Sequence, residues 1–181
     1  IAKGVYHTAR PFNYGEGTDL SLCDSVKVPS SFLISQGQSD MDFVSGYDMK
    51  EEQGFVTVAN HHISPGKKMW HWGVGDFGEM WCSNLTDNNG PYIELMTGVY
   101  TDNQPDFTWL KPFEEKTFTQ YFMPYKTVGQ VKNATKEAAV GLEYDGNTIT
   151  VKAYASSLYP EAEVSLTYEG ESLFTETVKL S

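Results

Sequence analysis

Short runs in which apolar and polar residues alternate, closed by glycine, proline, asparagine or aspartate, recur along most of the chain. That period of two restricts it to a β fold, because a helix would need apolar residues three and four apart. Phe55 to Ile63 reads as one strand, stopped by Ser64-Pro65-Gly66, and Lys67 to Val74 as the next, ended by glycines at 73, 75 and 78. Pro91 to Tyr100 and Lys116 to Tyr125 read as two more, with a polar loop over Thr101 to Lys111 between them. Val128 to Ala139, rich in Ala and Lys, is the one stretch expected to be helical. Beyond it come two hairpin signals, around Asp145-Gly146-Asn147 and around Glu169-Gly170-Glu171. The organisation expected is therefore a β domain over residues 1–139 and the start of a small β-sandwich-like domain over 140–181. Four strands are few for an independent core, so the second part should lean on the first or continue further.

Composition excludes several classes. The 181 residues carry 13 basic and 24 acidic side chains, a formal charge of −11. A nucleic-acid binder would need a basic face, so none is expected as a partner. No apolar stretch approaches the roughly 18 residues of a membrane span, so no membrane association is expected either. The chain opens on Ile1 instead of Met, which reads as a removed leader or a piece of a longer protein that carries further domains. The residues leave the compartment open, with the cytoplasm slightly favoured. Cys23 and Cys82 have no short metal-ligand spacing and are expected to pack as small apolar groups.

Parity sorts the strand residues by face. Along Pro91–Tyr100, Ile93, Leu95, Thr97 and Val99 make a core face, and Tyr92, Glu94, Met96, Gly98 and Tyr100 make the other. A carboxylate between Tyr and Met, in a hollow, would be desolvated and fit for general acid or base work. An ordinary outward-facing Glu is the competing reading. Trp70 and Trp72 likewise share a face, either as core or as platforms on which the C–H faces of a sugar ring stack, with Trp81 and Trp109 as further platforms. The polar run Asp102-Asn103-Gln104 after Tyr100 suits the hydroxyls of such a ligand.

His61 and His62 are adjacent, so on a strand they would face opposite ways and could not share a metal; parity does not decide which lines a site. No metal and no cofactor are expected. A Gly-rich strand-to-helix loop, a Gly-x-Ser-x-Gly elbow and a recognisable nucleophilic Cys are all absent from the sequence.

The segments His61–Gly73, Asn84-Leu85-Thr86-Asp87, Gly90–Met96 and Gly98–Asp106, with Phe43–Asp48 before them, resemble a bacterial family of domains of unknown function found ahead of tetratricopeptide repeats. The resemblance covers roughly residues 30 to 140. That family in turn resembles the galactose-mutarotase-like supersandwich, a large antiparallel β-sandwich used by sugar epimerases, glycoside hydrolases and lyases. The resemblance implies that residues 1–139 form the later part of such a supersandwich, with sugar bound on a concave sheet face. It further implies that Glu94 is the acid/base carboxylate and His61 the imidazole, and that Tyr100, Asp102, Asn103, Gln104, Trp70 and Trp72 line the site. The motifs that surround the catalytic His of the epimerases are not visible in this sequence.

The expectation is a carbohydrate-active domain for neutral sugars or glycosides. A hydrolase would need a second carboxylate, for which Asp102 and Asp76 are candidates, whereas an epimerase could use one pair such as Glu94 with His61. The alternatives are a non-catalytic sugar-binding module with the same aromatic platform, and a structural β domain that presents tetratricopeptide repeats.

Overall fold

A computed structural model describes residues 18–34, 39–102 and 105–181, and the backbone alone at 7–8. It is all-β apart from one short α-helix and one 3-10 turn among the described residues. The strands are β1 (His7–Thr8), β2 (Ser30–Leu33), β3 (Phe43–Asp48), β4 (Gln53–Val58), β5 (Lys68–His71), β6 (Ile93–Met96), β7 (Tyr121–Lys126), β8 (Val131–Ala134), β9 (Ala138–Tyr144), β10 (Ile149–Ala155), β11 (Tyr159–Tyr168) and β12 (Glu171–Leu180). The helix α1 spans Asp76–Leu85 and the 3-10 turn Cys23–Ser25. Four sheets result, with orders β1-β2-β5-β6, β3-β4-β7, β10-β9-β8 and β11-β12.

The chain divides into two compact units, residues 1–44 with 59–120 and residues 45–58 with 121–181. The first holds the β1-β2-β5-β6 sheet and α1. Its antiparallel register sets Ser31 opposite Trp70 and Trp70 opposite Glu94, then Leu33 opposite Lys68 and Lys68 opposite Met96. Directly paired residues of antiparallel strands point the same way. One face therefore carries Ser31, Leu33, Lys68, Trp70, Glu94 and Met96, all half-buried. The other carries Phe32 and His71, both buried, with Met69, Leu95 and Ile93. This is the parity expected from the sequence.

The second unit packs Val56, Val58, Met123, Tyr125, Val128, Val131, Ala134, Ala139 and Ala155 out of solvent. Tyr125 stacks on Tyr47 with centroids 5.8 Å apart, and its hydroxyl donates to the Gly129 carbonyl at 3.3 Å. Burial pushes this phenol up to about 12, a Ser45 hydrogen bond lowering it and Tyr47 raising it.

Two expectations about elements are corrected. The stretch Val128 to Ala139 is not helical: it is β8, a turn and the first residues of β9, which runs through residue 139. Val128, Val131 and Ala134 are buried at a spacing of three, which imitates a helix face. Antiparallel pairing of β8 with β9, with a bulge between Val131 and Asn133, overrides the local propensity. Conversely, the glycine cluster read as a strand stop opens α1. Gly75 in extended conformation precedes the helix and its carbonyl accepts from the Glu79 N–H at 2.9 Å. Asp76 and Glu79 place negative charge in the first turn, where the helix dipole favours it. Gly78 lies inside the helix because a Cβ there would come within 1.8 Å of the Gly73 carbonyl oxygen.

Candidate functional site

The unit of residues 1–44 and 59–120 gathers most of the expected site residues on one strip of its sheet. Trp70 and Glu94 sit directly opposite each other on β5 and β6, and both are half-buried. Among the described residues no hydrogen bond or ion pair reaches the Glu94 carboxylate. Trp70 keeps its indole N–H buried without a hydrogen-bond partner. One row along, Lys68 extends from the same face and its ammonium donates to the Asp102 carbonyl, which ties the loop after Tyr100 to the strip. The Asp102 carboxylate accepts from the Thr108 hydroxyl. Asn103 and Gln104 lie outside the described residues.

Trp72 is just beyond β5 and stacks on Trp81 of α1, centroids 4.7 Å apart and planes 12° from parallel. Phe77 stands edge-on to both rings, at 6.1 and 6.3 Å. Each indole thus gives one face to the other, and the pair fixes α1 at the end of the strip. Asp76 is exposed in the first turn of α1. Tyr100 is half-buried, with Lys116 Nζ 5.6 Å from its ring centroid and a buried hydroxyl that has no hydrogen-bond partner among the described residues.

The two histidines depart from expectation. β4 ends at Val58 and residues 61–63 form a turn, so alternation does not apply. The rings lie side by side, centroids 3.9 Å apart. Asp42 holds His61 by two bonds, accepting from its backbone N–H at 2.8 Å and facing its Nδ1 at 2.6 Å. An ionised carboxylate only accepts, so Nδ1 of His61 is the donor of this bond. Partial burial works against the charged Asp42, but the His61 hydrogen bonds, the His61 charge and the Lys67 charge outweigh it and hold its pKa below the usual value. Lys67 is buried, its ammonium without a hydrogen-bond partner among the described residues; desolvation lowers its pKa and Asp42 only partly restores it. The sequence reading missed Asp42 and Lys67. Asp42 is 19 residues from His61, a separation no local motif could reveal, while Lys67 stood only as the first residue of an expected strand.

His62, Ile63 and Pro65 line a cavity of about 280 Å³ with Val99, Lys116 and Thr117. This cavity and Glu94 occupy different rows. The Gly66 N–H donates to the Gly98 carbonyl at 2.9 Å, continuing the β5–β6 register beyond Met96. Gly98 is four residues from Glu94, roughly 13 Å of extended strand. The backbones pack so tightly here that a Cβ on Gly66 would fall 1.8 Å from the Tyr100 carbonyl oxygen. A second cavity, of about 430 Å³, lies between α1 and the 3-10 turn, lined by Asp24, Glu79, Cys82 and Asn88 among others.

Both cysteines are free and half-buried. Cys82 Sγ accepts from the Tyr92 N–H at 3.2 Å, and burial raises the Cys23 thiol. Among the described residues no group of three or more His, Cys, Asp or Glu could hold a metal ion, and no helix is long and apolar enough to cross a membrane.

Two family models match the chain. Residues 133–181 match the one described as the second domain of YphG-like proteins. No solved structure matches the chain. The other match covers residues 16–130, more than half the chain, and overlaps the resemblance read from His61–Asp106; the protein therefore belongs to the family described as Domain of unknown function (DUF5107).

Proposed function

We propose that the strip formed by Trp70, Glu94, Lys68 and the Asp102 loop binds a neutral sugar, with Glu94 as acid or base toward a glycosidic or anomeric oxygen. The observation that carries this reading is the pairing of Trp70 with Glu94, whose carboxylate meets no cation or donor among the described residues. An indole supplies a flat apolar surface for sugar C–H groups, and a carboxylate beside it can accept from a hydroxyl or exchange a proton. The −11 charge accords with a neutral ligand. The resemblance to galactose-mutarotase-like sandwiches read from the sequence supports hydrolase or epimerase chemistry.

A non-catalytic sugar-binding module is the second reading. It is favoured by one observation: the Asp102 carboxylate, the candidate second acid, already accepts from the Thr108 hydroxyl. Glu94→Gln separates the two on an array of neutral mono- and oligosaccharides with turnover assayed in parallel. Retained binding with turnover lost supports catalysis, whereas retained binding in a protein that turns nothing over supports the module. No binding to any glycan refutes both and favours a structural domain.

A further inference from the structure

From the aromatic loop that follows Asp102 we infer that the ligand is an oligosaccharide chain and that Phe107 and Trp109 form an outer subsite for it. The inference rests on the sugar reading of the Glu94 strip and specifies its substrate class. Phe107 and Trp109 are 68% and 75% exposed, and their rings meet edge-to-face with centroids 5.2 Å apart. Large apolar rings left in water forgo about 25 cal/mol for each Å² of apolar surface that could be buried. These two nevertheless have a defined mutual geometry. Thr108 between them donates to the Asp102 carboxylate, while the Asp102 carbonyl accepts from Lys68. Lys68 shares its sheet face with Trp70 and Glu94.

Two hydrogen bonds, Thr108 to Asp102 and Lys68 to Asp102, tie the segment that carries the outer rings to the sheet face of Trp70 and Glu94. The outer rings are held by the same loop that closes on the strip. A single sugar at Trp70 would leave them unused, while a chain of several units could engage both places. The charge around the loop favours a neutral chain over an anionic one, because Asp102, Asp106, Glu114 and Glu115 outnumber Lys111 and Lys116 there.

The test measures binding of intact protein to an array of neutral glycans in which each linkage is present as mono-, di- and tetrasaccharide. For the linkage that binds, the tetrasaccharide should bind about tenfold tighter than the monosaccharide, a gain of about 1.4 kcal/mol. Phe107→Ala with Trp109→Ala should abolish that gain and leave monosaccharide binding intact; being exposed, the two substitutions should also leave the melting temperature unchanged. Equal affinity at all lengths, or a length gain that survives the double substitution, overturns the outer subsite and leaves the sugar site standing. Binding at no length overturns the sugar reading and the subsite with it. Trp70→Ala tells the places apart, since it should weaken every length, the monosaccharide included.

Discussion

Gly78→Ala sets two physical effects against each other, and the structure decides between them. In an exposed helix interior, Ala is favoured over Gly by about 1 kcal/mol. At Gly78, however, the added Cβ would fall 1.8 Å from the Gly73 oxygen, 2.6 Å from the Gly73 carbonyl carbon and 2.8 Å from the Trp72 oxygen. All three are backbone atoms and cannot rotate aside as a side chain would. Overpacking of this kind costs about 1–3 kcal/mol, and rigid neighbours put it near the upper end. The net expectation is destabilisation by about 2 kcal/mol once the gain in helix propensity is subtracted. For a chain of this size that lowers the melting temperature by about 4–8 °C. The urea midpoint and melting temperature of wild type and variant measure it. Near-UV circular dichroism should report a disturbed Trp72–Trp81 stack, because α1 can relieve the contact only by moving away from Gly73. An unchanged or raised melting temperature would refute the reasoning and show that the helix end yields without penalty.

The remaining predictions concern protonation and packing. Burial lowers the pKa of His71 below its ordinary 6.5, with Asp24 only partly opposing it. The unfolded chain therefore binds a proton that the folded one refuses, and stability should fall as pH drops through 6.5; His71→Gln should flatten that part of a stability–pH curve. Asp42 is depressed below 3.8, so its contribution is full above that pH and lost as the solution is acidified through its folded value. Asp42→Asn should remove this acid limb and move the His61 ring signals in an NMR spectrum at fixed pH, unmoved signals contradicting the pair. Spectrophotometric titration should find one tyrosine ionising only near 12, and Tyr125→Phe should eliminate it. Gly66→Ala should destabilise the chain by about 1–3 kcal/mol in urea, because its Cβ meets the Tyr100 backbone.

Alternation assigned the residues of the strip to their faces. Residues 68–71 and 93–96 obey strict parity, so Trp70 and Glu94 could be assigned to faces from the sequence. What alternation could not supply was register, which depends on which strands meet, and it therefore said nothing of the Trp70–Glu94 pairing itself. It also failed wherever the chain leaves a strand early. His61 and His62 were sorted by parity although β4 had ended at Val58, and the turn brings their rings together. The helix α1 was hidden because its glycines serve close approach and capping, which local composition does not distinguish from a strand stop. Asp42 was invisible for a different reason: its role comes from tertiary contact with a residue far along the chain.

The interleaved course of the chain bears on how the gene can be trimmed. A product ending at residue 130, at the edge of the matched family region, would retain the Glu94 strip but separate β4 and β7 from the strands that belong to the same compact body. Lys136 would no longer stand over Tyr121, nor would Val131, Ala134 and Ala139 be present beside Val128 in the shared interior. Such a fragment would expose a cut hydrophobic surface, so recombinant work on the Glu94 strip is better served by the longer polypeptide than by a shortening drawn along family borders.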